Sequence, residues 1–199
     1  TYFPKSEFDE FMEKVPERVL IILDEAYFEY ASNISDYPDS MHYRYDNVIT
    51  LRTFSKAHGL AGFRVGYGFA HGDLIENLNK VKLPFEPSWP AQIAAIAALD
   101  DLEFINKTVN NCLFEMKRVV KVFQKIGIKT IPSAANFITI VFPSNEDAFR
   151  FNEEMLDQGI ILRYLNGWGL PSCVRITIGT NEENTSFLDA VMSTRFIAG

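Results

Sequence analysis

Lys56 lies in the run Arg52-Thr-Phe-Ser-Lys-Ala-His-Gly-Leu-Ala-Gly-Phe-Arg64, and Asp24, 32 residues before it, follows the hydrophobic run Val19-Leu-Ile-Ile-Leu23 and opens Asp24-Glu-Ala-Tyr27. A lysine amine can condense with an aldehyde and later leave to act as a base. A carboxylate at the end of an apolar strand can keep a ring nitrogen protonated, because an anion favours the charged form. The Tyr27 phenol, three residues on, can donate to a ring hydroxyl. The Ser55 hydroxyl and the planar fork of Arg64, which a lysine could not duplicate, suit a phosphate. Gly59 and Gly62 would let the backbone turn tightly between them.

Singly, each residue has an ordinary reading: Asp24 in a surface turn, Tyr27 in a core, Ser55 as a helix cap, Lys56 and Arg64 as solvated charges. Their order changes the balance. An apolar strand ending in the acid and the phenol is followed by a second strand-like run, Asn47-Val-Ile-Thr-Leu51, that leads into the hydroxyl, the amine and the guanidinium. Strand ends are where α/β sites lie. Aldehyde, ring nitrogen, ring hydroxyl and phosphate are together the groups of pyridoxal 5′-phosphate. Lys56 is therefore read as catalytic, and Asp24, Tyr27, Ser55, Lys56 and Arg64 as cofactor-binding.

The stretch from Val19 to Ala70 resembles the cofactor-binding core of the fold-type I aminotransferases, pyridoxal-phosphate enzymes, and is most similar to their histidinol-phosphate branch. The matching elements are Leu23-Asp-Glu-Ala-Tyr-Phe-Glu-Tyr30, Thr53-Phe-Ser-Lys-Ala-His-Gly-Leu-Ala-Gly-Phe-Arg-Val-Gly-Tyr67 and Gly169-Leu-Pro-Ser-Cys-Val-Arg-Ile-Thr-Ile-Gly-Thr180. The third, with Ile160-Ile-Leu-Arg163 before it, narrows the likeness to that branch. The resemblance implies an α/β fold: part of the large domain, a mainly parallel sheet with helices, over residues 1–100, then a long bridging helix and a small α+β domain over 101–199. It further implies that Arg163 and Arg175 hold the anionic parts of the substrates. The implied reaction is transamination of histidinol phosphate with 2-oxoglutarate, giving imidazole acetol phosphate and glutamate in histidine biosynthesis, in a cytoplasmic homodimer.

The opening Thr1-Tyr-Phe-Pro resembles the point just after the family's Asn-Pro-Thr-Gly segment, so about the first two fifths of a family member is expected to be absent. That part carries an asparagine for the ring hydroxyl, an aromatic residue that stacks on the ring, and backbone donors for the phosphate. A tyrosine from the neighbouring subunit belongs to the same segment. The chain is thus expected to be inactive alone and to expose sheet edges and apolar surface. Three other readings stay open: a different aminotransferase, such as an aromatic one; a decarboxylase using the same lysine; and a non-enzymatic effector domain of a regulator.

Composition bounds the partners. With 47% hydrophobic and 23% charged residues the chain is ordinary for a globular protein. A net charge of −7 argues against nucleic acid, since the densest basic cluster, Lys117-Arg118 with Lys121 and Lys125, reads as a solvated helix face. No apolar run approaches the length of a membrane span. Cys112 and Cys173 have no metal or redox spacing and read as reduced, packed thiols. His42, His58 and His71 have no ligand spacing, and His58, two residues after the lysine, reads as a packing residue. Gly66-Tyr-Gly68 and Gly72 do not make a dinucleotide loop, because the last glycine comes one residue late in a strand-like run.

The elements that position these residues follow from periodicity. Helices are predicted over Ser6–Val15, capped by Ser6, and over Ile75–Lys80, Ala91–Leu99, Phe104–Ile126, Glu146–Gln158 and Glu182–Phe196. Strands are predicted over Val19–Leu23, Val48–Thr53, Phe63–Ala70, Asn136–Phe142, Ile160–Tyr164 and Val174–Ile178. The first three are apolar enough to suggest burial on both sheet faces. Pro84, Pro87 and Pro90 mark the best candidate boundary.

Overall fold

The computed structural model describes residues 2–43 and 45–194. The chain divides into two compact units, Tyr2–Val109 and the residues from Asn110 onward.

In the first unit, helix α1 (Lys5–Lys14) begins at Pro4, whose φ of −62° is already helical and whose carbonyl accepts the Glu7 and Phe8 N–H groups at 3.1 Å. Ser6 therefore lies inside the first turn and is not the cap. The helix buries Phe8 and Met12 against Leu23 and Val48. Those two residues belong to β1 (Ile21–Asp24) and, after a short helix α2 (Phe28–Ala31), to β2 (Val48–Thr53). β1 and β2 are parallel, with Ile21 opposite Val48 and Asp24 opposite Leu51. Parallel register brings the carboxy ends of both strands to one edge of the sheet. Strand β3 (Gly66–Ala70) returns antiparallel to β2, an orientation that apolar content does not reveal.

Burial on both faces does not hold for this sheet. Ile22 is 63% exposed, and Leu51 and Tyr67 are exposed too, while Phe63, predicted to open the third strand, lies in a 3-10 turn before it. Within these residues α1 covers only one side of β1 and β2, so the alternate side chains meet solvent.

Helices α3 (Gly72–Val81), α4 (Trp89–Asp100) and α5 (Leu102–Lys125) follow, with the proline segment between α3 and α4. Along α4, Ala91 and Ala95 are buried against Phe54 and Val65. Those small residues let the helix approach closely, and Phe54 is two residues from Lys56. The division between the units falls within α5.

The second unit is an antiparallel sheet in the order β4, β5, β7, β6, built from Lys129–Ile131, Phe137–Val141, Cys173–Thr177 and Arg163–Tyr164 respectively. Helices α6 (Asn145–Asp157) and α7 (Asn181–Met192) complete it. Phe123, Phe151, Ile138, Ile140, Met155 and Val174 are fully buried in this unit. The predicted strand over Ile160–Tyr164 is only two residues long, and β4 was not predicted. Ser144 caps α6, its Oγ accepting the Asp147 N–H at 3.1 Å. Thr180 and Glu183 cap α7 reciprocally. The predicted end of that last helix at Phe196 lies outside the described residues. Both cysteines are free and buried, and burial pushes the Cys112 thiol up to about 11.

Candidate active site

Asp24 is the last residue of β1, and its exposed carboxylate accepts the Ala26 N–H at 3.0 Å. Three residues on, Tyr27 caps α2 with φ −116° and ψ 21°, outside the strand and helix ranges. That local break turns the chain back over the sheet edge.

From the neighbouring strand, the chain passes Thr53, whose Oγ1 accepts the Ser55 N–H at 3.1 Å. Phe54 and Ala57 on either side of Ser55 and Lys56 are buried, whereas the Lys56 amine is exposed. Both backbone groups of Phe54 are used, its N–H by Val65 and its carbonyl by Leu60. The lysine therefore rides on a turn fixed from below. Its Nζ lies 5.4 Å from the centre of the Tyr27 ring. Of the predicted set, Lys56 and Tyr27 are brought into direct contact range, with Asp24 and Ser55 adjoining them in the chain at the same sheet edge.

Gly59 takes φ +72°, as the turn requires, but the second left-handed residue is Arg64 at φ +53°, not Gly62. The Arg64 guanidinium donates to the Ala61 carbonyl at 2.8 Å, which steadies that unusual conformation. The Arg64 side chain is exposed. At Gly66 an added Cβ would stand 2.8 Å from the Arg52 carbonyl oxygen, so only glycine lets β3 approach β2 there.

In the second unit, Arg163 and Arg175 are opposite one another in the β6–β7 register. Arg175 stacks over Phe137 at 4.8 Å, and its Nε is buried without a hydrogen-bond partner. A buried guanidinium nitrogen left in this state costs free energy that an anion would recover.

Sequence reasoning missed a buried ionic cluster behind the Asp24–Tyr27 turn. Glu25 and Arg52 are 3% and 9% exposed, and the Arg52 Nε donates to Glu25 Oε2 at 2.9 Å. Its second nitrogen reaches Asp39 Oδ1 at 3.0 Å. Burial alone would lower the proton affinity of Arg52, but bonding to Glu25 outweighs it and holds the guanidinium above its ordinary range. The signal in the sequence was an arginine inside an apolar strand run, which needs a buried partner. His58 also gains a partner: its Nε2 is 3.4 Å from Glu29 Oε1, and its ring lies 4.8 Å from Phe54. Among the described residues no cluster of metal ligands and no helix long and apolar enough to cross a membrane occurs.

An amine on a fixed turn, a phenol within reach and a carboxylate on the parallel neighbour strand are donors of the types that a pyridoxal phosphate would need. The chain belongs to the aminotransferase class I and II family, whose model matches residues 1–191. Among its relatives is histidinol-phosphate aminotransferase 2 of Carboxydothermus hydrogenoformans, 42% identical over 95% of this chain and 52% of the relative. Histidinol-phosphate aminotransferase of Geobacillus sp. is 43% identical over 96% of this chain and 52% of the relative. The crystal structure of the Sinorhizobium meliloti enzyme in complex with pyridoxal-5′-phosphate superposes with a TM-score of 0.88 at 29% identity, covering 100% of this chain and 54% of that one. The chain spans about half the length of the relatives it matches.

Proposed function

We propose that this chain carries the lysine-bearing half of a pyridoxal-phosphate aminotransferase that exchanges the amino group of L-histidinol phosphate with 2-oxoglutarate, giving imidazole acetol phosphate and glutamate in histidine biosynthesis. The observation that carries the reading is Lys56 Nζ standing 5.4 Å from the Tyr27 ring at the strand edge where Asp24 ends β1. Names and identities of the relatives support the substrate.

The bound cofactor supplies an electron sink that acidifies the donor's alpha carbon. Lys56 would hold the cofactor through Nζ, and its amine would serve as the base that moves the alpha proton of the donor. Asp24 keeps the ring nitrogen protonated, and the Tyr27 phenol orients the ring hydroxyl. Ser55 and Arg64 hold the phosphate. Arg163 and Arg175 hold the anionic groups of histidinol phosphate and of the dicarboxylate. The whole enzyme is proposed to work as a cytoplasmic homodimer.

The test is to add pyridoxal 5′-phosphate to this chain, alone and complemented with the amino-terminal half of the Carboxydothermus relative, and to reduce with borohydride. Mass spectrometry should find the cofactor on Lys56, and Lys56→Ala should abolish the visible absorbance. Covalent attachment that survives Lys56→Ala overturns the assignment.

A further inference from the structure

Arg52 is positioned to do more than fill the core. Glu25 and Phe28 bracket Ala26 and Tyr27, and Arg52 engages both of them. It bonds the carboxylate of Glu25 through two nitrogens, at 2.9 and 2.7 Å, and lies 3.4 Å over the centre of the Phe28 ring. Phe69 on β3 covers the guanidinium at 5.4 Å. The other Glu25 oxygen accepts the Ser40 N–H at 3.1 Å, and Asp39 takes the outer Arg52 nitrogen at 3.0 Å. Asp24 and Tyr27, in the same turn, are left on the accessible side, where the Tyr27 ring meets Lys56.

Stability alone gives this arrangement little reason to exist. Replacing a buried ion pair by apolar residues of similar volume is often neutral or stabilising. What an apolar residue cannot supply is direction: two guanidinium nitrogens converge on one Glu25 oxygen while the flat face of the same group takes the Phe28 ring.

We propose that Arg52 is a positioning residue that fixes the Asp24–Tyr27 turn toward Lys56 by gripping Glu25 and Phe28 from behind. The inference rests on the function proposed for Asp24, Tyr27 and Lys56, but its geometric content can be measured without cofactor. Arg52→Lys keeps the charge and removes the fork; Phe28→Leu keeps an apolar side chain, somewhat smaller, and removes the stacked ring.

Amide hydrogen exchange on this chain is the test. In the parent, Ala26 N–H bonds to Asp24 Oδ1 and Phe28 N–H to the Glu25 carbonyl at 3.0 Å each. In Arg52→Lys these two amides should exchange about tenfold faster or more, the scale of one lost charge-assisted bond. In Phe28→Leu the same amides should quicken about two- to fivefold, as for one cation–π contact. The β2–β3 amides, such as the Phe54 N–H bonded to Val65, should stay within about twofold of the parent. Borohydride-trapped attachment of pyridoxal 5′-phosphate at Lys56 should slow in the same order of variants as the turn amides quicken.

Uniform acceleration across the first unit would make Arg52 a plain stabilising residue and overturn the proposal. Unchanged turn amides in both variants would overturn it equally. Should Arg52→Lys fail to fold, Phe28→Leu decides by the same two outcomes. A parent chain and complemented enzyme that never attach the cofactor would count against the proposed function alone, since the exchange pattern still reads the turn.

Discussion

Arg163 stands directly opposite Arg175 across β6 and β7, two cations as cross-strand neighbours on one face of the sheet. Directly opposed like charges cost stability, about 0.2–1 kcal/mol by analogy with other cross-strand pairs. An anion shared between them would turn that cost into a gain, and the buried Nε of Arg175, without a hydrogen-bond partner, is a donor still to be satisfied. Arg163→Gln is thus expected to raise the melting temperature slightly in chloride buffer and to remove most of the further rise produced by phosphate. Thermal unfolding with and without phosphate checks both halves. A phosphate response that survives in Arg163→Gln and Arg175→Gln alike removes the pair from anion binding.

The same pair makes a kinetic prediction in the complemented enzyme. Loss of a charge-assisted bond costs about 1.5 to 3 kcal/mol, so Arg175→Ala should raise the Michaelis constant for glutamate about tenfold or more. An unchanged constant would exclude that arginine from carboxylate binding.

Glu115 sets a pH dependence. It is 1% exposed on α5, and its carboxylate accepts bonds from Arg118 at 2.7 Å and from Asn181 and Asn184 at 3.0 Å each. Burial alone would raise its proton affinity, but these donors outweigh it and hold the carboxyl below its ordinary range. A depressed folded-state value means that the stabilisation is fully present above the unfolded value, about 4.3, and is lost as pH falls through the lower folded one. Glu115→Gln should remove this component and cost about 3 kcal/mol at neutral pH, because it leaves Arg118 without its anion. The Gly179 amide, which donates to Asn184 Oδ1 at 3.1 Å, is the local reporter. Its exchange should accelerate in the variant at pH 7, with the gap to the parent closing below about pH 4. An equal gap at both pH values would refute the assignment.

What the sequence disclosed and what it hid divide along physical lines. The placement of Asp24 and Tyr27 at or after the end of one strand, and of Ser55 and Lys56 after the next, was legible from strand periodicity and chain order, and the Lys56 Nζ lies 5.4 Å from the Tyr27 ring centre. Side chains that act across the sheet were not legible. Glu25 pairs with Arg52 from 27 positions away, a partnership created by register and invisible to local patterning. Ser6 looked like a cap, yet Pro4 opened the helix first by geometry. Gly59 is left-handed as a tight turn allows, but Arg64, read only as a phosphate ligand, is left-handed too, with its guanidinium bonded back to Ala61. Apolar content also misjudged the sheet faces, since content records what a strand could bury and not what is there to cover it.

His58 joins the lysine turn to α2 through Glu29, and its buried Nδ1 has no hydrogen-bond partner. His58→Phe would keep the contact with Phe54 but strand the Glu29 carboxylate. Glu29→Leu would leave the imidazole without that partner. Residues in contact couple by about 0.5–3 kcal/mol, so the double variant should be less destabilised than the two singles summed. Denaturant unfolding of the four proteins at constant pH measures the difference. Additivity within about 0.3 kcal/mol would mean that the pair does not tie α2 to the turn.

Glycines on the lysine turn give opposite signs for one chemical change. At Gly66 a methyl group would meet the Arg52 carbonyl oxygen at 2.8 Å, and backbone cannot swing aside as a flexible side chain can. Gly66→Ala should therefore cost about 1–3 kcal/mol, the range for forced overpacking. It should also loosen the β2–β3 register between Thr53 and Gly66. At Gly62 an added methyl group would have nothing within 4 Å, and the backbone is not left-handed, so alanine there meets neither obstacle. Gly62→Ala removes freedom only from the unfolded chain and should stabilise by about 0.4–1 kcal/mol. Chemical denaturation of both variants decides: equal signs would mean that the close approach of β3 to the Arg52 carbonyl does not govern this turn.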